Sequence, residues 1–450
     1  MVRSQGLISS IEEIENSVVT YPPLDSLADI DPLPVIESIK NSPVHLYFHI
    51  PFCETRCTFC HYVVDLYPGK ERATINQQAA VDYYLQLLRK EITFYSQLFQ
   101  QRNIQVDSVY IGGGTPTILS CTQLENLVTN IKDSFQYSNN FPFCIEASPL
   151  TITAFDGIEK LKLLVSHGIK RLSFGIQSFN NDVLKIAGRG YTKSTAIEAC
   201  KLAQQYFTNW NIDLIQSLSQ SSMAEIQENL AIIKELKPPH ITWYNGRFSE
   251  KRPQGKMRQD KDWQKSFPQE REILDGRAFI WQELLKTGYN QIDGNRFVSN
   301  KKFIDSFKKV RTSIQADLIG LGVSAYSHTQ QYFFRNEMSI KEYAKQIEAK
   351  GHAIATGKKF SDEEKIAASY VIGLRTIWQK DKVYQQLTKK KQNQSIINHY
   401  KTLVDQLVGN GILEYGKNSL RLTQLGRLYE DEVLAMFYSR TVKRILNSRL

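Results

Sequence analysis

HLYFHIPFCETRCTFC occupies residues 45–60, and its two halves carry different information. HLYFHI is a short run of aromatic and branched residues closed by Pro51, which reads as a buried strand. The second half places Cys53, Cys57 and Cys60 within eight positions, spaced C-x3-C-x2-C, in the loop that leaves that strand. Three thiolates on one short loop can hold three irons of a cubane cluster and leave the fourth iron open. The competing readings are a zinc site and plain buried thiols. Zinc wants four tetrahedral ligands, and the nearest fourth, His61, sits beside Cys60 and is awkwardly placed to share its metal.

Five further runs of the same texture follow: VDSVYI (106–111), FCIEAS (143–148), RLSFGIQS (171–178), NIDLIQ (211–216) and HITWYN (240–245). Amphipathic stretches at 76–100, 121–135, 154–167, 192–206 and 222–235 separate them. Strands alternating with helices point to a parallel sheet of βα units, and six units make an incomplete barrel of the α/β class. Chemistry then collects at the carboxyl ends of the strands, where the loops share one mouth. The cysteine loop leaves such an end.

Residues 1–42, with YPP at 21–23 and DPLP at 31–34, read as an extended lead-in with a short helix near its start. Residues 43–350 form the barrel and its extension. Within them, GRFSEKRPQGKMRQDKDWQKS (246–266) lacks periodicity and is expected to be solvated rather than to cover the mouth. A helix at 268–287 and a strand in DLIGLGVSAYS (317–327) follow. Residues 351–450 are expected to make a small basic domain, mainly helical and winged-helix-like. Its helices fall at 361–376, 381–390, 394–409 and 424–438, with a hairpin in GILEYGKNSLRLT (411–423).

Composition limits the classes. With 42% hydrophobic and 23% charged residues, the 450-residue chain is an ordinary globular one, not disordered or collagen-like. Six cysteines are too few for a secreted disulfide framework, and no window approaches the roughly 18 apolar residues of a membrane span, so a reduced, cytoplasmic protein is expected. Net charge is +10, of which the last hundred residues carry +8 and the first 350 only +2. A basic winged-helix-like tail permits nucleic-acid binding. Lysines such as Lys389, Lys390 and Lys391 more commonly serve solvation, and nucleic acid is not the expected partner.

YFHIPFCETRCTFC (47–60) is followed by GGGTPTIL (112–119), EASP (146–149), RLSFGIQSF with AGRGY (171–191), NIDLI (211–215) and IGLGVSAYS (319–327). In this order and spacing the chain resembles the radical S-adenosylmethionine (SAM) enzymes. Within them it resembles the branch of oxygen-independent coproporphyrinogen III dehydrogenase, with its haem-chaperone and class C radical-methylase relatives. The resemblance runs over about residues 45–435. It implies a [4Fe–4S] cluster on Cys53, Cys57 and Cys60, whose open iron takes SAM and cleaves it to methionine and a 5′-deoxyadenosyl radical. It also implies that Tyr47, the Gly112–Gly113–Gly114 loop and Glu146 serve that SAM. Phe59, Gly114, Thr115, Gln177, Arg189 and Asp213 match positions for a second one, and Arg247 and Tyr326 join the cofactor contacts. Singly, each has a plain structural alternative: a core aromatic for Tyr47, a salt-bridged acid for Glu146, a turn for the glycines. Cys121, Cys144 and Cys200 read as ordinary thiols.

Two departures matter. The dehydrogenases carry a fourth cysteine where this chain has Tyr62, and their GLP turn is replaced by SLSQ at 217–220. The haem-chaperone signature is imperfect too, with His61 and Tyr62 after the third cysteine. The leading expectation is therefore hydrogen abstraction that drives methyl transfer to an organic small molecule. The alternatives are oxidative decarboxylation of coproporphyrinogen III and non-catalytic haem transfer. Trp243, Tyr244 and Arg247 either line a substrate pocket or are core aromatics and a solvated arginine. Expected partners are a tetrapyrrole or other anionic substrate and a reductant such as flavodoxin or ferredoxin.

Overall fold

A computed structural model describes residues 20–40, 44–67, 74–246, 253–303, 316–376, 378–379 and 382–448. The six expected strands are β1 (Val44–Ile50), β2 (Val106–Gly113), β3 (Phe143–Ala147), β4 (Arg171–Gln177), β5 (Trp210–Gln216) and β6 (His240–Asn245). They pair in parallel in chain order. Helices α1 (Ile75–Gln101), α2 (Cys121–Ser134), α3 (Gly157–Ser166), α4 (Lys193–Tyr206) and α5 (Met223–Leu236) connect them. The strands read as nearly continuous apolar runs because helices cover the sheet's outer face while side chains fill its concave one. Helix starts are fixed locally: Thr74 with Gln77 and Ser120 with Gln123 form capping boxes that satisfy the first free N–H groups of α1 and α2.

The sheet stays open and continues on both sides. After β6 come α6 (Pro253–Gln259) and α7 (Glu270–Lys286), then β7 (Arg296–Val298), which pairs antiparallel with β6. On the other flank, β8 (Asp317–Leu321) runs parallel to β1. Antiparallel β9 (Tyr326–His328), β10 (Tyr332–Asn336) and β11 (Ile354–Lys359) follow it, and Ala28–Asp29 of the lead-in pairs with β11. The described sheet thus has thirteen strands, parallel at its centre and antiparallel at its margins.

Two local expectations change. DLIGLGVSAYS breaks into β8 and β9 at a turn through Gly322 (φ +100°) and Ser324 (φ +57°), a backbone path that glycine takes without strain. The 246–266 connection is partly helical: α6 turns Gln254 into the protein, and a single inward polar anchor gives no apolar periodicity to read. A short helix capped by Asp31 lies at Pro32–Ser38, towards the end of the lead-in; the helix expected near the lead-in's start is not that one. Residues 1–19 lie outside the described residues.

A second apolar cluster gathers α8 (Asp362–Gly373), α9 (Gln394–Gly409), the hairpin Leu413–Tyr415 with Ser419–Leu422, and α10 (Glu430–Met436). The helix expected at 424–438 is divided at Tyr429 into Gln424–Leu428 and α10. Tyr21 of the lead-in is buried in this cluster, 5.6 Å from the Tyr438 ring centroid. Among the described residues no helix is long and apolar enough to cross a membrane.

Glu91 on α1 ties the parallel centre to the flank that follows β8. Its carboxylate accepts hydrogen bonds from Gly322 N–H (2.7 Å), the Tyr343 hydroxyl (2.8 Å) and Asn336 Nδ2 (2.8 Å). Burial pushes its carboxyl up to about 7. The folded state therefore holds a proton that the unfolded chain releases near 4.5, so this group's stabilisation is full below about pH 4.5 and lost as pH rises through 7. Glu91→Leu leaves three buried donors without an acceptor. It is expected to cost about 3 kcal/mol in urea unfolding at pH 6, while an unchanged midpoint would show the cluster to be dispensable.

Candidate functional site

The cysteine loop is closed on itself before anything binds to it. Phe52–Cys53 pairs in parallel with Asp65–Leu66, and Tyr67 N–H donates to Cys53 O (2.9 Å). The glycine loop after β2 is stitched behind it, Gly114 N–H to Ile50 O (2.7 Å) and Thr115 N–H to Phe52 O (2.8 Å). A Cβ on Gly114 would lie 2.5 Å from Phe52 O and 2.9 Å from Cys53 Sγ, and Gly113 has φ +118°. Both positions need glycine for a close approach that a side chain would block. Thr58, between the second and third cysteines, is clamped: its N–H donates to Ala187 O and its hydroxyl to Ile186 O (both 3.1 Å). From α6, Gln254 adds two bonds, backbone N–H to Thr58 O (3.1 Å) and Nε2 to Thr58 Oγ1 (2.8 Å).

The loop opens on a cavity of about 270 Å³. It is lined by all three motif cysteines and by Phe59, Gly113, Gly114, Thr115, Glu146, Gln177, Arg189 and Asp213. Tyr47 and Tyr326 lie instead in an adjoining inner chamber of about 200 Å³, which shares Gly113, Glu146, Asp213, Tyr62 and Tyr244 with the first. Arg247 lies outside the described residues. Trp243 belongs to the core, whereas Tyr244 is exposed and lines both spaces. Cys144 and Cys200 are buried and Cys121 is half-buried, all away from the cavity.

Arg189 is held by its surroundings: Nε donates to the Tyr191 hydroxyl (2.9 Å), Nη2 to Gly175 O (2.7 Å) and Nη1 to Cys57 Sγ (2.9 Å). Gln177 stands at a bulge between β4 and β5 with φ +69°, an uncommon conformation for a residue with a side chain. Asp213 accepts from Asn211 Nδ2 (2.8 Å). Glu146 accepts from the Tyr110 hydroxyl (2.7 Å) and Gly113 N–H (3.0 Å). Burial pushes its carboxyl up to about 7; the Tyr110 bond opposes this and Asp213 adds to it. His49 is pushed down to about 4 by burial, so its ring is neutral. With Nε2–H donating to Val63 O (3.2 Å), Nδ1 accepts the Tyr47 hydroxyl proton (2.9 Å) and fixes that hydroxyl.

The inner chamber was not read from the sequence. Arg171, Arg296 and Arg375 line it, with Asp293, Glu430 and Asp431. Asp293 pairs with Arg296, and Glu430 accepts Gly294 N–H (2.9 Å). Burial and the neighbouring Asp293 push Glu430 up to about 7, against the pull of Arg375. Alternation along the strands could have found part of it, since Tyr110 shares a face with Gly112 and Arg171 with Ser173. Arg375 and Glu430 come from the C-terminal residues and carry no local signal.

Among the described residues, no three His, Cys, Asp or Glu side chains converge closely enough to hold a single metal ion. A cubane takes one thiolate per iron and needs the sulfurs spread around it, so three thiols on one closed loop, facing a cavity beside bare glycine backbone, suit a cluster with an open corner.

Residues 47–230 match the Radical SAM superfamily, which implies a [4Fe–4S] cluster and SAM as cofactors. The Heme chaperone HemW of Haemophilus influenzae is 35% identical over 206 residues, 46% of this chain and 51% of that protein, so the match spans about half its length. The oxygen-independent coproporphyrinogen III oxidase of Escherichia coli is 27% identical over 419 residues, covering 90% of this chain and 87% of that one. The solved structure of the Escherichia coli coproporphyrinogen III oxidase covers 93% of this chain and 96% of its own at TM-score 0.79 and 24% identity, a likeness of fold. These relatives are oxidase and chaperone, and they give the expected methyl transfer no support.

Gly114→Ala drives a methyl group into Phe52 O and Cys53 Sγ. Reconstituted protein is expected to carry less than half the iron and sulfide of wild type by chemical assay. Gly409→Ala, with nothing within 4 Å of its added Cβ, keeps the full content. Equal loading of both variants would show that the close approach does not matter.

Proposed function

From a chain whose residues 47–230 form a radical SAM domain, we propose an enzyme that abstracts hydrogen from a carboxylate-bearing tetrapyrrole, in the manner of coproporphyrinogen III oxidative decarboxylation. The observation that carries this reading is the continuity of the cysteine-lined cavity with an inner chamber that offers both guanidinium and carboxylate groups. Such a chamber suits a ligand with carboxylate arms and ring N–H groups: arginines bind carboxylates in a forked geometry, and carboxylates accept N–H. At about 200 Å³ it takes an arm rather than a whole macrocycle, since pockets for drug-sized ligands start near 300 Å³.

When bound, the cluster and SAM supply one-electron chemistry and a hydrogen-abstracting radical. Cys53, Cys57 and Cys60 are the thiolates that hold the cluster, and the backbone of Gly113 and Gly114 receives the polar end of the first SAM. Tyr110 and Gly113 fix the Glu146 carboxylate toward it. Neutral His49 orients the Tyr47 hydroxyl. Arg189, Gln177 and Asp213 serve the charged and hydrogen-bonding ends of a second SAM, beside Phe59 and Thr115. Residues 351–450, through Arg375 and Glu430, close the chamber and exclude water, which strengthens every charge interaction inside.

A second reading, haem transfer without turnover, is favoured by the Haemophilus relative and by Tyr62 in place of a fourth cysteine. Anaerobic incubation of reduced, reconstituted protein with SAM and coproporphyrinogen III separates the two. The proposal predicts 5′-deoxyadenosine together with protoporphyrinogen, both lost in Cys57→Ala. Stoichiometric haem uptake without 5′-deoxyadenosine would favour the chaperone, and S-adenosylhomocysteine with a methylated product would restore methyl transfer. Arg375→Leu removes one charged hydrogen-bond donor, about 1.5–3 kcal/mol, and is expected to raise KM for coproporphyrinogen roughly tenfold or more. An unchanged KM would take the chamber out of substrate binding.

A further inference from the structure

The run GRFSEKRPQGKMRQDKDWQKS (246–266) is basic, and its described part, 253–266, holds Lys256, Arg258, Lys261 and Lys265 against Asp260 and Asp262, a net +2. Its helix α6 is bolted to the cysteine loop by the two Gln254 bonds to Thr58. Helical residues two apart point to opposite faces, so buried Gln254 directs Lys256 outward, and Lys256 is exposed. Lys261, Lys265 and Trp263 are exposed on the turns that follow. Two more exposed cations flank the same clamp: Arg56 in the cysteine loop itself, and Lys185 in the short helix Asn181–Ile186, whose last carbonyl accepts the Thr58 hydroxyl.

We propose that this basic face, centred on Lys256, Lys261 and Lys265 with Trp263, is the docking surface for an acidic one-electron carrier protein that reduces the cluster. The proposal rests on the radical SAM reading. One electron leaves the reduced carrier and arrives at the cluster held by Cys53, Cys57 and Cys60; the carrier is left oxidised by one electron, and no bond forms between the proteins. Only the thickness of α6, about 10 Å, separates its outer face from the loop that holds the thiols. Complementary charge speeds encounter and fixes orientation in small, short-lived complexes of this kind, and an exposed tryptophan suits a protein interface. Asp260 and Asp262 lie among the lysines and oppose any acidic partner alike, so it is the bonded connection to the cysteine loop that favours an electron carrier over nucleic acid. Among the described residues, the C-terminal ones, although more basic overall, show no such hydrogen-bonded connection to the cysteine loop.

Reconstituted wild type, the triple variant Lys256→Glu/Lys261→Glu/Lys265→Glu and a control Lys389→Glu/Lys401→Glu/Lys417→Glu are compared in two assays. The first is the Kd for oxidised flavodoxin at 50 and 300 mM salt. The second is 5′-deoxyadenosine formation driven by reduced flavodoxin or by dithionite, which needs no docking. The proposal predicts a Kd at least tenfold weaker in the α6 triple variant at low salt, a difference that shrinks at high salt. It also predicts slower flavodoxin-driven turnover, unchanged dithionite-driven turnover and no effect in the control. Equal flavodoxin binding by wild type and the α6 variant overturns it, as does weakening by the control alone or loss of duplex DNA binding with flavodoxin binding intact. Absence of 5′-deoxyadenosine with either reductant would instead refute the radical SAM reading, while the Kd comparison still decides the docking surface.

Discussion

The site depends on one close approach. The glycine backbone after β2 passes so near the cysteine loop that a Cβ on Gly114 would meet Phe52 O at 2.5 Å and Cys53 Sγ at 2.9 Å, and one on Gly113 the His49 ring at 2.8 Å. Two backbone hydrogen bonds, to Ile50 O and Phe52 O, lock that arrangement. A loop that must carry three thiols has little core of its own, so its shape is borrowed from β1, from the glycines and from the Thr58 clamp. The residues around the cavity inherit their positions from these few contacts. Backbone amides and small residues line its inner wall because nothing larger fits.

Charge is the second constraint. Glu91 and Glu430 are buried and Glu146 is half-buried; desolvation pushes each up to about 7, and the hydrogen bonds each accepts recover part of that cost. Breaking such a cluster by removing one partner is expensive, which makes buried polar contacts effective at specifying how two layers meet. Two such contacts, of Glu430 and of Arg277, join the C-terminal residues to the sheet. Arg277 on α7 donates to Leu428 O and, through Nε at 2.7 Å, to Asn245 Oδ1 at the cavity's rim. Glu430 reaches Gly294 beside β7. The mouth of the cavity is thus tied to α7 through Arg277, and the far wall of the inner chamber to α10 through Glu430.

The parallel centre of the sheet was legible because its strands are unbroken apolar runs and its helices are amphipathic, both strong periodic signals. The cysteine loop was legible as ligand spacing, and its reading as a cluster site, like that of the glycine triplet, came only with the motifs around them. What escaped shares a common cause: it depends on partners far away in sequence. β10, β11 and the helix Ile340–Lys350 were not anticipated, because their apolar faces follow no βα rhythm once the chain leaves the parallel centre. Gln254 gives no pattern because one inward amide anchors α6. Arg375 and Glu430 look like surface charges until the fold brings them to the chamber. Tyr47 was read both as a core aromatic and as a site residue. Its ring stacks with Tyr110 and Tyr326, at centroid distances of 6.2 and 6.5 Å, while its hydroxyl meets His49, so packing and site use the same side chain.

The most direct test of the account is electron paramagnetic resonance of the anaerobically reconstituted, reduced protein with and without SAM. Three thiolates holding a four-iron cluster with one open corner predict an S = 1/2 signal whose g values shift when SAM is added, with no cluster signal in Cys57→Ala. A signal that SAM leaves unchanged, or purified protein that holds one zinc and takes up no iron, would contradict it.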